Sequence, residues 1–169
     1  MHRNVRPFVL IAASFALTVH AQPPANPSKA DRIVVIKSTH TMTLYADGKV
    51  LRTYHVSLGS NASGNAKQMQ GDHETPEGTY TINGRNEHSC CHLSLHISYP
   101  NAADRERARK LGVDPGGNVM IHGLPPGNEW VKPGQELADW TYGCIGLTNP
   151  EMDEVWRLVP TGTPIEIRH

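Results

Sequence analysis

A chain of 169 residues, 38% of them hydrophobic, is long enough for one domain with an ordinary core and too short for two. Its 16 basic and 16 acidic side chains cancel. No basic stripe with interleaved aromatics appears, which argues against nucleic acid as a partner.

The N-terminus "MHRNVRPFVLIAASFALTVHA" sets Arg3 and Arg6 ahead of an apolar run from Phe8 to Val19, with small residues at Val19 and Ala21. This reads as a cleaved secretory signal over residues 1–21, because the run is shorter than the roughly 20 apolar residues of a membrane span. A Pro-rich leader over 22–31 follows, then a single domain over 32–168. Without the signal the chain carries 14 basic and 16 acidic side chains and no membrane span. Export would put Cys90, Cys91 and Cys144 in an oxidising space, where an odd count leaves one thiol unpaired.

In the domain, "RIVVIK" at 32–37 is a short strand, and Asp47-Gly48 between two partly alternating runs predicts a tight hairpin. The stretch "SNASGNAKQMQGDHETPEG" is too rich in Gly, Asn, Asp and Pro for regular structure, so a long loop leads into a short strand at "TYTIN". Asp72 and Glu77 in that loop could pass for the paired carboxylates of a glycosidase. Pro76 and Gly78 argue instead for a loop built around turn geometry.

Alternation in "CCHLSLHISYP" puts Cys91, Leu93, Leu95, Ile97 and Tyr99 on one face and His92, Ser94, His96 and Ser98 on the other. His88, Cys90, Cys91, His92 and His96 together form a cluster that could hold zinc or copper. Opposite facing of Cys91 and His92, and the lack of a second ligand pair, weigh against a metal. A Cys90–Cys91 disulfide would be strained.

"NAADRERARKLG" reads as a polar helix capped by Asn101 and stopped at Gly112. A strand "NVMIHG" follows, then the loop-rich "LPPGNEWVKPGQELAD", where "GQELADW" suggests a helical turn, and a strand "CIGLT". In "NPEMDEVWRLV", Asn149 is the expected cap with Pro150 at the first helical position, and Met152, Val155, Trp156 and Val159 form one apolar face. "TPIEIR" closes the chain as a strand. Short strands with two or three short helices indicate a β-rich, mixed α/β fold.

Cys144 in "DWTYGCIGLTN" reads either as a small buried residue or as a nucleophile. His122, which ends a strand and precedes Gly123, reads either as a structural histidine or as the base such a thiol needs. The ordered set "GDHETPEG", "SYP", "GVDPGGNVMIHG" and "TYGCIGLTN" resembles the L,D-transpeptidase catalytic domain of the YkuD type, found in bacterial cell-wall enzymes. The resemblance spans nearly all of residues 32–168.

It implies a β-sandwich with a few short helices, Cys144 as nucleophile, His122 as general base and the Gly123 carbonyl orienting the imidazole. It further implies an oxyanion site from the N–H groups of Gly143 and Cys144 with Tyr142, and substrate contacts at Tyr99, Thr141, Tyr142 and Gly146. The implied reaction is acyl transfer through a Cys thioester on peptidoglycan stem tetrapeptides in the periplasm or cell envelope, with no metal and no organic cofactor. Two departures stand out: Tyr142 where the commoner motif has histidine, and Gly146 where it has Arg or Asn. They leave open a hydrolase or amidase that cleaves stem peptides or peptidoglycan–lipoprotein links, with a wall-linked lipoprotein as partner. A metal- or wall-binding module with an inert cysteine is the non-enzymatic alternative.

Overall fold

The computed structural model describes residues 28–61, 64–133 and 138–169. The expected signal, most of the expected leader and residues 134–137 of the suggested helical turn lie outside them. Among the described residues, strands β1 (Arg32–Ile36), β2 (Thr41–Ala46), β3 (Lys49–His55), β4 (Gly78–Ser89), β5 (His92–Ile97), β6 (Met120–His122), β7 (Ile145–Gly146) and β8 (Pro164–Arg168) accompany two helices, α1 (Ala102–Leu111) and α2 (Asn149–Leu158). No helix among those residues is long and apolar enough to cross a membrane.

The Asp47-Gly48 signal forms the two-residue turn it predicts: both residues have positive φ, 52° and 73°, as a type I′ hairpin requires. The strand expected at "TYTIN" is longer than that, running 12 residues to Ser89. Register shifts at Ile82/Gly84 and Asn86/Ser89 bend it. Its first residues pair with β8 and its remainder with β5, so one strand serves two halves of a sheet. Eight strands follow in the order β3-β2-β1-β8-β4-β5-β6-β7, with β1·β8 and β6·β7 parallel and the rest antiparallel.

The β-rich fold with a few short helices is as expected, its strands forming one curled sheet. Residues just past β3 bring its two ends together: Ser57 exchanges backbone hydrogen bonds with Gly146 at 3.0 and 2.8 Å, and Gly59 bridges Thr141. Inside the curl lies a single apolar cluster to which β1 gives Ile33 and Val35, β2 Met42 and Leu44, and β8 Ile165 and Ile167. Each of these pairs is two apart, the pleat period.

Helix α2 adds Met152 and Val155 from its first turns and Val159 just beyond its end. Trp156 is only partly buried, with the Arg85 guanidinium 3.7 Å over its ring and donating to the carbonyls of Trp156 and Val159. The N-cap differs by one residue from expectation. Thr148 is the cap, its N–H and hydroxyl held by Glu151, while the Asn149 side chain accepts the Leu124 N–H instead. Helix α1 starts and stops where its sequence indicates, with Asn101 and Asp104 forming a capping box and Gly112 left-handed.

Asp104, 2% exposed, also accepts from Tyr80 Oη and Arg107. Removing it would leave the Tyr80 hydroxyl and the Arg107 charge short of an acceptor. Asp104→Ala is expected to lower the unfolding free energy by about 3 kcal/mol, read as a shifted denaturant midpoint at constant m.

Candidate active site

Strands β6 and β7 run parallel with Ile121 opposite Ile145 and His122 opposite Gly146. Both isoleucines are fully buried in the core. By the pleat, Met120, His122 and Gly146 therefore share the other face, and Cys144 leads into β7 one residue before Ile145. Cys144 immediately precedes β7, whose Gly146 stands opposite His122, so the β6·β7 pairing brings the two segments together although the residues are 22 positions apart in sequence.

His122 is 8% exposed, and its Nδ1 lies 2.7 Å from the Gly123 carbonyl oxygen. A carbonyl only accepts, so Nδ1 carries the proton and Nε2 presents a lone pair. Burial pushes the imidazole pKa below its ordinary value, partly offset by the Gly123 carbonyl. Burial likewise pushes the Cys144 thiol above its ordinary value, against the opposing Met120 N–H and Lys67 ammonium. Its Sγ lies 3.6 Å from the Asn118 carbonyl. Both shifts favour the neutral form, of the thiol as of the imidazole.

Alkylation of Cys144 by iodoacetamide, followed by peptide mass mapping, is expected to keep accelerating beyond pH 9, because the raised pKa leaves less than half of the sulfur as thiolate there. A rate already level at pH 7 would contradict this electrostatic picture.

The long loop between β3 and β4 packs beneath the Cys144 segment. A Cβ on Gly143, whose φ is +116°, would stand 2.5 Å from the Glu74 carbonyl oxygen, so only glycine fits. Burial opposes the charge of Asp72, but Lys67 at 2.7 Å and the N–H groups of Met69, Gln68 and Glu74 outweigh it and hold its carboxyl below the usual range. Glu77 pairs with Lys37 at 3.0 Å. The two carboxylates thus hold separate lysines and brace the loop rather than face each other across a cleft. Lys67, 4% exposed and close enough to bias the Cys144 thiol, has no distinguishing mark in the sequence beyond its place in that loop.

Other candidates scatter. Tyr99 is 4% exposed, its hydroxyl donating to the Pro115 carbonyl at 2.8 Å and its ring edge-on to Tyr80, which puts it in the core rather than on a cleft wall. Thr141 is buried; its hydroxyl donates to the Cys144 carbonyl and accepts the Gly143 N–H, at 2.8 and 3.1 Å. Tyr142 is 78% exposed, with its ring 4.6 Å from that of His73. Gly146 lies under the indole of Trp140, a residue whose position the motif does not mark.

The Cys/His cluster separates along the β4–β5 hairpin. His92 pairs with Asp153 at 2.7 Å and His96 with Asn83 at 2.6 Å. Cys90 and Cys91 are free thiols with sulfurs 3.3 Å apart. Among the described residues no three His, Cys, Asp or Glu side chains gather as a metal site would require.

Comparison with known proteins bears on this arrangement. The family model for the YkuD L,D-transpeptidase catalytic domain matches residues 30–167. YafK of Escherichia coli K12, provisionally named an L,D-transpeptidase, is 29% identical over 133 residues, 75% of this chain and 46% of that protein. YqjB of Bacillus subtilis 168, provisionally named likewise, is 26% identical over 144 residues, 84% of this chain and 74% of that protein. The chain thus spans about half the length of YafK.

Among solved structures, the helical cell shape determining protein Pgp2 from Campylobacter jejuni has a TM-score of 0.61 at 21% identity, covering 84% of this chain and 48% of its own. An L,D-transpeptidase from Mycobacterium smegmatis gives 0.54 at 19% identity, with 83% and 59% covered. These two share the fold. The curled sheet is the architecture of that group, and the family model runs through almost the whole described domain: the chain belongs to the L,D-transpeptidase catalytic-domain family.

Proposed function

We propose that the chain is an exported cysteine acyltransferase acting on the stem tetrapeptides of peptidoglycan in the cell envelope. The observation that supports this reading is the β6·β7 register, which sets His122 opposite Gly146, two residues past Cys144, with imidazole Nδ1 tied to the Gly123 carbonyl and Nε2 left to take a proton.

In this reading Nε2 accepts the thiol proton as the sulfur attacks the carbonyl at the L-centre of the diaminopimelate residue. The tetrahedral oxyanion accepts hydrogen bonds from the Cys144 N–H and from Tyr142, with the Gly143 N–H joining once it leaves the Thr141 hydroxyl. Collapse breaks the C–N bond, and the imidazolium returns its proton to the departing D-alanine amine. The thioester then passes its acyl group to an amine or to water. No step calls on a cofactor.

One observation favours a second reading, hydrolysis by an amidase or carboxypeptidase of the same fold. The position two residues past the nucleophile offers no polar side chain to an acceptor, being Gly146 under an indole. Purified tetrapeptide muropeptides, supplied with and without lipoprotein-linked wall, separate the two by product mass. Crosslinked dimers with release of D-alanine are expected. Released peptides alone would replace transfer by hydrolysis, and no product from either substrate would sink both.

A further inference from the structure

We infer that Trp140 is a positioning residue for the His122 imidazole, and that residue 146 is glycine because the indole occupies the place of its side chain. The inference rests on reading Cys144 and His122 as the reacting pair. In the β6·β7 register Gly146 stands directly opposite His122. A Cβ built there would lie 3.0 Å from Trp140 Cζ2 and 3.3 Å from Cε2, tighter than side chains normally pack. From that position the indole meets the imidazole edge to face, with centroids 5.4 Å apart and planes at 73°.

The Gly123 hydrogen bond alone leaves the ring a pivot about Nδ1. The indole against its flank limits that swing and keeps water from that side.

The indole is itself held from both neighbours, and by one residue. Asp139 accepts the Leu58 N–H at 2.7 Å, while the Thr141 N–H donates to the Leu58 carbonyl at 3.2 Å. The second Asp139 oxygen pairs with His40 Nε2 at 3.0 Å, and the Thr141 carbonyl accepts the Ser60 N–H at 2.8 Å. Trp140 is therefore clamped to the same segment past β3 that closes the sheet. Through the Thr141 hydroxyl this clamp also reaches the Cys144 carbonyl. One short stretch, residues 139–144, carries both the nucleophile and a wall of its base.

The test uses the whole protein in three variants: Trp140→Leu, Trp140→Phe and Gly146→Ala, the last displacing the indole without touching His122. The His122 titration midpoint and ring tautomer are followed by NMR, alongside kcat and KM on the tetrapeptide. In Trp140→Leu, kcat is expected to fall about 10- to 100-fold at unchanged KM. The His122 midpoint is expected to rise toward 6.5 as water reaches the ring. Phenylalanine should restore most of both, and Gly146→Ala should fall between.

A merely structural role would scale the rate with the folded fraction and leave the midpoint in folded molecules where it was. An unchanged midpoint and tautomer in the folded variants would overturn the inference. If Trp140→Leu does not fold, the other two variants carry the same readouts. The titration requires no turnover, so an inactive wild type would count against the proposed function and leave this measurement decisive for the indole.

Discussion

Cys144→Ala is expected to abolish acyl transfer, a loss on the order of 10⁴-fold or more, and to remove the covalent adduct expected of the wild type with a carbapenem. Intact mass reports the adduct and product analysis reports the transfer. The other two cysteines provide the control. Burial and the hydrogen bond with Cys90 push the Cys91 thiol up to about 11, so it is a poor nucleophile at neutral pH. Cys90 is exposed at the hairpin tip. An adduct that survives in Cys144→Ala and maps to either of these would overturn the assignment of the nucleophile. Trading one sulfur for hydrogen at a half-buried position leaves the core intact, so loss of the adduct would report chemistry rather than unfolding.

His122→Ala is expected to slow acylation at pH 7 by about 10²- to 10⁴-fold, the range that positioned acid–base groups contribute. The sign of the two pKa shifts sharpens this. Burial lowers the imidazole, so in the wild type the base is lost only as pH falls below the ordinary histidine value near 6.5. Burial raises the thiol, so without a base few sulfurs are ionised at neutral pH. The variant should therefore regain rate as pH rises past 9, hydroxide then doing the work of the imidazole, and the gap to wild type should narrow there. Full activity at pH 7 would refute His122 as the base. A deficit that stays constant with pH would make it structural.

Local patterns were legible where the cause is local. The Asp47-Gly48 turn, the Asn101–Gly112 helix boundaries and the apolar face of α2 each follow from backbone conformation or spacing within a few residues. Less legible were the places where a distant group intervenes. Asn149 lost its capping role because its side chain is taken by Leu124 N–H, 25 residues upstream. Tyr99, expected as a substrate contact, is buried, with its hydroxyl on the Pro115 carbonyl. The strand at "TYTIN" runs on to Ser89 because bulges let it change partners from β8 to β5.

The candidate site divides the same way. Cys144 and His122 were marked as candidates by residue type, order and motif, since a nucleophile and its base must be particular residues. The Gly123 carbonyl as the group that orients the imidazole came from the family resemblance. Lys67, Trp140 and the meaning of Gly146 were not marked, because each acts by occupying space or field next to a residue far along the chain. Glycine at position 146 looks in the sequence like a missing polar group, whereas in three dimensions it is room for an indole.

By itself, then, the sequence determined the β-rich class, the hairpin and both helices, and singled out Cys144 and His122 as the candidate pair, through short-range periodicity, turn chemistry and side-chain type. Only the tertiary structure decided how the sheet curls and closes through Ser57 and Gly146, and which side chains wall the imidazole. Those follow from strand register and packing between segments tens of residues apart, which no local pattern encodes.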